Sequence, residues 1–376
     1  MSKPVSKEAG MAREKMLLVG ALGTVGRSAL RYFEALEGWD VVALSRRKPD
    51  FETRAKWVSV DLRSPEAEGE LAANDALRGV TQVMYAANFE GAGTGDVTGK
   101  WIQNDHTEIN LTMLRNVIEA VDHVAGSTLR HVTLMQGGKA YGAHIGPFKM
   151  PAREDDPRVM PPNFYYPQMD YLAERAARAG WHWTILRPQV VFGNAVGSPL
   201  NIIAALGVYA AMSRELGMPL RYPGGPARAN EATDARLLAR AAHWAGANPV
   251  AYDQIYNIAN GDVYYWEMLW PKVARVFDME VGYPQPFSLA KVMPANAAIW
   301  DGMVARHGLK PYRYQEMVPS WQMADFLFGY GQRPNAHHIS TIKIRQHGFH
   351  DCIDSEDLIV ELLREMQADR LLPTYG

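Results

Sequence analysis

A parallel, doubly wound α/β sheet is the fold class this sequence predicts, on three observations. An apolar run of strand length, Lys15 to Gly20, passes directly into a glycine-rich turn, Gly20-Ala21-Leu22-Gly23-Thr24-Val25-Gly26. A helix-like segment from Arg27 to Leu36 follows that turn. Beyond it, strand-length apolar runs keep alternating with helical spacing, and such alternation requires crossover connections between parallel strands.

The elements follow in order. Asp40 to Leu44 is a second strand, Trp57 to Val60 a third, and Val80 to Ala87 a fourth, with Asn88 at its carboxyl end. Asp105 to Ala125 reads as a long helix, since Ile109, Met113, Val117 and Val121 recur at its period. Leu129 to Met135 is a fifth strand. Ligands of open parallel sheets sit outside the carboxyl ends of the strands, where the glycine turn and Asn88 both lie.

The turn carries chemistry because glycines let backbone N–H groups approach a pyrophosphate and let the next helix pack close to its strand. The start of the helix that follows, with Thr24 and Val25 in the turn just before it, adds the positive end of its dipole. This is the Rossmann arrangement, and its spacing of Gly20, Gly23 and Gly26 resembles the extended branch of the short-chain dehydrogenase/reductases. The second strand ends in Ser45-Arg46-Arg47, where an NAD site would place an acid for the ribose 2′-hydroxyl. Two guanidinium groups suit a 2′-phosphate instead, which favours NADPH over NADH; elsewhere they would read as solvated surface arginines. Asp61-Leu62 after the third strand resembles the superfamily's adenine-contacting pair.

Most short-chain reductases carry a tyrosine with a lysine four residues later, and a serine on the preceding strand. No tyrosine here has that lysine, and the strand reads Thr133-Leu134-Met135-Gln136. Gln136-Gly137-Gly138-Lys139-Ala140-Tyr141, then Gly146-Pro147-Phe148, then Asn163-Phe164-Tyr165-Tyr166 resembles the progesterone 5β-reductase and iridoid synthase family. Leu129-Arg130-His131-Val132, Arg187-Pro188, Asn257 to Asp262 and Leu371-Leu372-Pro373 extend the likeness from about Met16 to the end of the chain. The resemblance implies that Tyr165 is the catalytic tyrosine and Lys139 its partner, both also facing cofactor together with Gln136. It implies reduction of the carbon–carbon double bond of an α,β-unsaturated carbonyl, with the charge that builds on the carbonyl oxygen met by the tyrosine. Here Ala140 stands where the family usually has histidine, and a short insertion carries His144. Both changes bear on substrate identity.

After Arg187 the alternation loosens, as in extended members whose carboxyl-terminal segments form a smaller, mostly helical substrate lobe. Helices are expected over Asn201 to Arg214 and Met293 to Met303. Tyr141, Phe148, Tyr166, Tyr209, Met212 and Trp300 are the expected substrate-pocket residues, with Trp321, Met323, Phe326 and Phe328 adding apolar lining. Such a pocket suits a small hydrophobic enone. The expected organisation is a tail over 1–13, an NADPH-binding domain over 14–195 and a substrate lobe over 196–376, with elements rejoining the nucleotide half near 228–262.

A formal net charge of -2 argues against nucleic acid as principal partner. The longest apolar stretch, Asn201 to Met212, is too short to span a bilayer, so no membrane partner is expected. The lone Cys352 rules out an internal disulfide and fits a cytoplasmic setting. His337, His338, His347 and His350 lack a zinc-hydrolase pattern, and no metal is expected. A homodimer is a superfamily-level expectation only. Two other readings remain open: a carbonyl reductase or epimerase of the extended branch, and a non-enzymatic NADPH-sensing protein.

Overall fold

The structure, a computed structural model, describes residues 13–89, 104–198, 201–331 and 337–375, with Asn104 described by its backbone alone. Apart from Arg13, the expected tail over 1–13 lies outside the described residues.

Seven strands form one parallel sheet: β1 (Glu14–Val19), β2 (Trp39–Leu44), β3 (Lys56–Val58), β4 (Gln82–Tyr85), β5 (His131–Met135), β6 (His182–Pro188) and, at the far edge, a strand at Gln254–Ile258. The chain first builds outward from β1 to β2 and β3, then crosses back to lay β4, β5 and β6 on the other side of β1. That reversal opens a crevice between the carboxyl ends of β1 and β4, where the fold binds its ligands. Met16, Leu17, Leu18 and Val19 are all essentially inaccessible, because helices cover both faces of the sheet. Leu17 and Val19 pack with α2 (Ala67–Ala72), α3 (Asn104–Ala125) and α4 (Tyr165–Ala179). Met16 and Leu18 face the other layer, which includes α1 (Thr24–Ala35).

The first turn differs from the expectation in an instructive way. Helix α1 begins at Thr24 instead of Arg27, so Gly26 lies inside it. A Cβ at Gly26 would stand 2.2 Å from the Gly20 carbonyl oxygen, so only glycine lets the helix start this close to its strand. Gly20 holds φ at +81°, and a Cβ there would meet the Ala87 nitrogen at 2.9 Å.

After β6 the chain leaves the sheet through β7 (Val190–Phe192), which pairs with β8 (Ala232–Asp234). Between them runs α5 (Ile202–Glu215), capped by the Asn201 side chain and buried almost all round. Helix α6 (Ala235–Ala247) then returns to the α1 face, and β9 (Gln254–Ile258) closes the sheet edge beside β6. The rest packs as a helical lobe around α5: α7 (Trp266–Val276), α8 (Ala297–His307), α9 (Trp321–Phe328) and α10 (Ser355–Ala368). The helix expected over Met293 to Met303 is split, since Pro294 sits in a tighter turn, Met293–Asn296, that precedes α8. Leu372 of the closing Leu-Leu-Pro lies where a Cβ on Gly207 would approach it to 2.3 Å, which pins the chain end on α5. Among the described residues no helix is long and apolar enough to cross a membrane.

Candidate active site

A cleft of about 690 Å³ occupies the crevice at the reversal point. Gly20, Gly23, Ser45, Arg46, Arg47, Asp61, Leu62 and Asn88, all singled out in the sequence, line it together. Its shape fits a dinucleotide in a testable respect. Helix α1 starts at the cleft with no side-chain cap on its first N–H groups, and a Cβ on Gly23 would meet nothing closer than 3.4 Å, so packing alone does not demand glycine there. Open backbone donors at a helix start suit a pyrophosphate. Of Thr24, Val25 and Gly26, Val25 packs against the core and Gly26 abuts Gly20, as close helix packing requires.

Arg46 and Arg47 are exposed at the end of β2. The Arg46 carbonyl accepts from the Ser59 hydroxyl at 3.2 Å, and Ser45 donates to the Arg47 carbonyl at 2.7 Å, which shapes the turn. The sequence reading missed several wall residues: Arg63, Phe89, Met113 and the segment Val196-Gly197-Ser198. Arg63 follows Asp61 closely enough to be suspected. The Val196 segment comes from beyond β7, and nothing local marks it.

The segments that carry Lys139 and Tyr165 come together past the carboxyl end of β5. Lys139 lies on a short turn, Gly138–Tyr141, just past β5, and Tyr165 opens α4. A Cβ built on Gly137 would lie 3.5 Å from the Tyr165 hydroxyl, so the phenol reaches the base of the lysine's turn. Three side chains stitch turn to helix. Asn163, buried, donates to the Lys139 carbonyl at 2.8 Å and accepts from the Tyr165 amide at 3.1 Å. Gln136 donates to the Tyr165 carbonyl at 2.7 Å and accepts from Arg187 Nε at 3.2 Å. Tyr166 donates to the Ala140 carbonyl at 3.0 Å and accepts from the Val159 amide at 2.7 Å. Both side-chain groups of Gln136 are thus engaged within the protein.

Tyr165 is only 8% exposed, so a hydrogen bond from its hydroxyl would act in a partly dry setting. His144, from the insertion, is buried close by; burial first, and the Lys139 charge second, hold its pKa below the usual imidazole value.

The substrate-pocket expectations divide. Tyr141 and Phe148 line a cavity of about 310 Å³ with Ile145 and Val159. Tyr141 is also anchored, donating to Asn257 at 2.5 Å and accepting from Arg187 at 3.2 Å, and Phe148 stacks on His337. Tyr166 turns its hydroxyl back to the lysine's turn, as described. Tyr209, Met212 and Trp300 are corrected: all three are buried in the packed core of the helical lobe. Tyr209 donates to the Arg221 carbonyl and Trp300 to the Tyr312 carbonyl, so their polar atoms are engaged within the lobe. Trp321 and Phe328 are core too, while Phe326 is exposed. The histidines of the carboxyl-terminal half have separate partners: His338 pairs with Glu231 and His347 with the Tyr256 hydroxyl.

Residues 95–327 match the family described as the PRISE-like Rossmann-fold domain. An (S)-8-oxocitronellyl enol synthase of Camptotheca acuminata is 31% identical, over 95% of this chain and 93% of its own length. A 3-oxo-Delta(4,5)-steroid 5-beta-reductase of Arabidopsis thaliana is 29% identical, over 95% and 92%. Among solved structures, RMD from Pseudomonas aeruginosa complexed with NADPH superposes with a TM-score of 0.65 at 14% identity, covering 96% of this chain and 99% of that one. A UDP-glucose 4-epimerase of Thermotoga maritima gives 0.63 at 14% identity, covering 94% and 99%. These two likenesses speak to the fold alone.

Proposed function

The chain belongs to the PRISE-like Rossmann-fold family, and from that premise we propose that it is an NADPH-dependent reductase of the activated carbon–carbon double bond in hydrophobic α,β-unsaturated carbonyl compounds. The observation that carries this reading is the stitch made by Asn163, which ties the Lys139 turn, just past the carboxyl end of β5, to the start of the Tyr165 helix. Its relatives named as an enol synthase and a steroid 5-beta-reductase support the reaction class.

In this reading NADPH, when bound, would supply the hydride that adds to the substrate β-carbon. Arg46 and Arg47 select the 2′-phosphate, and the first turn of α1 receives the pyrophosphate on its backbone N–H groups. As the double bond is lost, charge gathers on the substrate carbonyl oxygen as an enolate. The Tyr165 hydroxyl donates a hydrogen bond to that oxygen, and the Lys139 ammonium keeps the phenol a strong donor. Proton delivery to the α-carbon is left to solvent. The apolar wall of Tyr141, Ile145, Phe148 and Val159 shelters the substrate.

The test is NADPH consumption with 2-cyclohexenone, a 3-oxo-Δ4-steroid, a monoterpene enal and a saturated aldehyde, with products identified. Saturated carbonyl products that vanish in Tyr165→Phe and Lys139→Met are expected. Alcohol products, or undiminished turnover in both variants, would overturn the assignment.

A further inference from the structure

The backbone that borders Arg47 comes from a distant part of the chain. Beyond β7 the segment Val196-Gly197-Ser198 lines the cofactor cleft together with Arg46 and Arg47. A Cβ built on Gly197 would lie 3.2 Å from Arg47 Nη1, 3.7 Å from Nη2 and 4.0 Å from Cζ. The guanidinium therefore rests against the bare backbone of this glycine. Gly197 also holds φ at +80°, a conformation that side chains other than Asn and Asp rarely adopt.

Both sides of this contact are held. The Gly197 amide donates to the Glu316 carbonyl at 3.0 Å, which fixes it to the helical lobe. Beside it, Ser198 Oγ accepts from the Thr24 hydroxyl at the start of α1, at 3.4 Å. From the same part of the lobe, Tyr312 donates to Asp50 Oδ2 at 3.0 Å, and Asp50 Oδ1 accepts from Arg27 of α1 at 2.8 Å. Lobe and nucleotide half are thus tied together around the place where Arg47 lies. Arg47 also stands between two spaces. It lines the cofactor cleft and, with Leu22, Lys48, Val196 and Gly197, a side cavity of about 160 Å³. A guanidinium pushed off Gly197 has room to leave the cleft for that cavity.

We propose that Gly197 is a positioning residue for cofactor selectivity: its missing side chain keeps the Arg47 guanidinium at the cleft, where a 2′-phosphate would meet it. The inference rests on the NADPH reading above and adds the lobe to it, since the phosphate is then selected by both halves of the chain. Charge alone is not enough for that selection. Arginine pairs with phosphate through a planar fork, so the direction in which the fork is presented decides the strength of the pair.

The experiment is calorimetric binding of 2′,5′-ADP and of 5′-AMP to the whole protein, so that no turnover is involved. Gly197→Asn is the informative variant, because asparagine tolerates positive φ while its side chain takes the space of the guanidinium. The wild type should favour 2′,5′-ADP. Gly197→Asn should narrow that preference about tenfold, the order expected for one charge-assisted hydrogen bond lost, with the loss falling on 2′,5′-ADP. In an Arg47→Ala background the same substitution should change the preference by less than about twofold, since the group it acts through is gone. An unchanged preference in Gly197→Asn, against a wild type that favours 2′,5′-ADP, overturns this proposal and leaves the NADPH reading standing. An equal loss of both ligands overturns it too, because that marks a structural role. So do effects of Gly197→Asn and Arg47→Ala that simply add. A wild type with no preference for 2′,5′-ADP refutes the NADPH reading itself, and this inference falls with it.

Discussion

Replacing Asn163 by alanine tests whether the stitch between turn and helix positions the reacting groups. The side chain is 2% exposed and satisfies two backbone groups at once, the Lys139 carbonyl and the Tyr165 amide. Each such bond contributes about 1 kcal/mol net, and each buried partner left unsatisfied costs about 1–3 kcal/mol. A stability loss of about 2–4 kcal/mol is therefore expected, measured as a shift in the urea midpoint at constant slope. The kinetic effect should be larger in kind. Without the link, the lysine's turn and the tyrosine's helix can move apart, and a displacement of about 1 Å costs about a hundredfold in rate. The expected result is a kcat lowered by about tenfold to a hundredfold with KM for NADPH held within about twofold, because Arg46, Arg47 and the glycine turn are untouched. Asn163→Asp separates the two bonds: it keeps the acceptor for the Tyr165 amide and loses the donor to the Lys139 carbonyl. If kcat in Asn163→Ala stays within about twofold of wild type while stability falls as calculated, the stitch is merely structural and the positioning argument is wrong.

Two further predictions concern the scaffold. His131 is 1% exposed, its Nε2 lies 2.9 Å from the Thr184 hydroxyl, and burial drives its pKa down to about 3 from 6.5. Because the folded value lies below the unfolded one, the unfolded chain takes up a proton between these limits that the folded chain refuses, so stability falls as pH drops from 6.5 toward 3. Urea unfolding at pH 5 against pH 7 should show about 2 kcal/mol less stability from this group, and His131→Gln should remove that component; an equal slope in the variant would refute it. Trp300→Phe should destabilise the protein by about 2–3 kcal/mol, through lost packing and the lost bond to Tyr312, and leave KM for the enone unchanged. A raised KM with stability intact would return Trp300 to the substrate wall.

The nucleotide-binding half was legible because its physics is local. Strands covered on both faces must be apolar throughout, as Met16 to Val19 are, and a glycine turn between strand and helix leaves few alternatives. Edges were less legible: the sequence places a strand over Leu129 to Met135, yet the strand is His131–Met135, because Gly126–Thr128 curls into a short turn first. The lobe was legible as helices and illegible as a cavity. Tyr209 and Trp300 are the residue types that line apolar pockets and equally those that fill cores, and α5 is buried nearly all round, so no sequence face told the two apart. Arg187, buried beside Gln136 and Tyr141, was visible only as half of an Arg-Pro motif.

The proposed lysine–tyrosine pair was illegible by spacing for a reason that lies in packing. In the usual arrangement the lysine sits one helical turn after the tyrosine, so the helix itself sets their separation. Here that position is Met169, which packs against the sheet-side core with Leu172 and Ala176. With the helix slot given to packing, the proposed ammonium comes from the turn past β5, and the helix does not set the distance between the two groups. Hydrogen bonds between turn and helix take over that task, through Asn163, Gln136 and Tyr166. A separation held by tertiary bonds is a shared property of all the residues that hold it. Combined substitutions at these positions should therefore cost far less than the sum of the single ones, since the first to break already frees the turn.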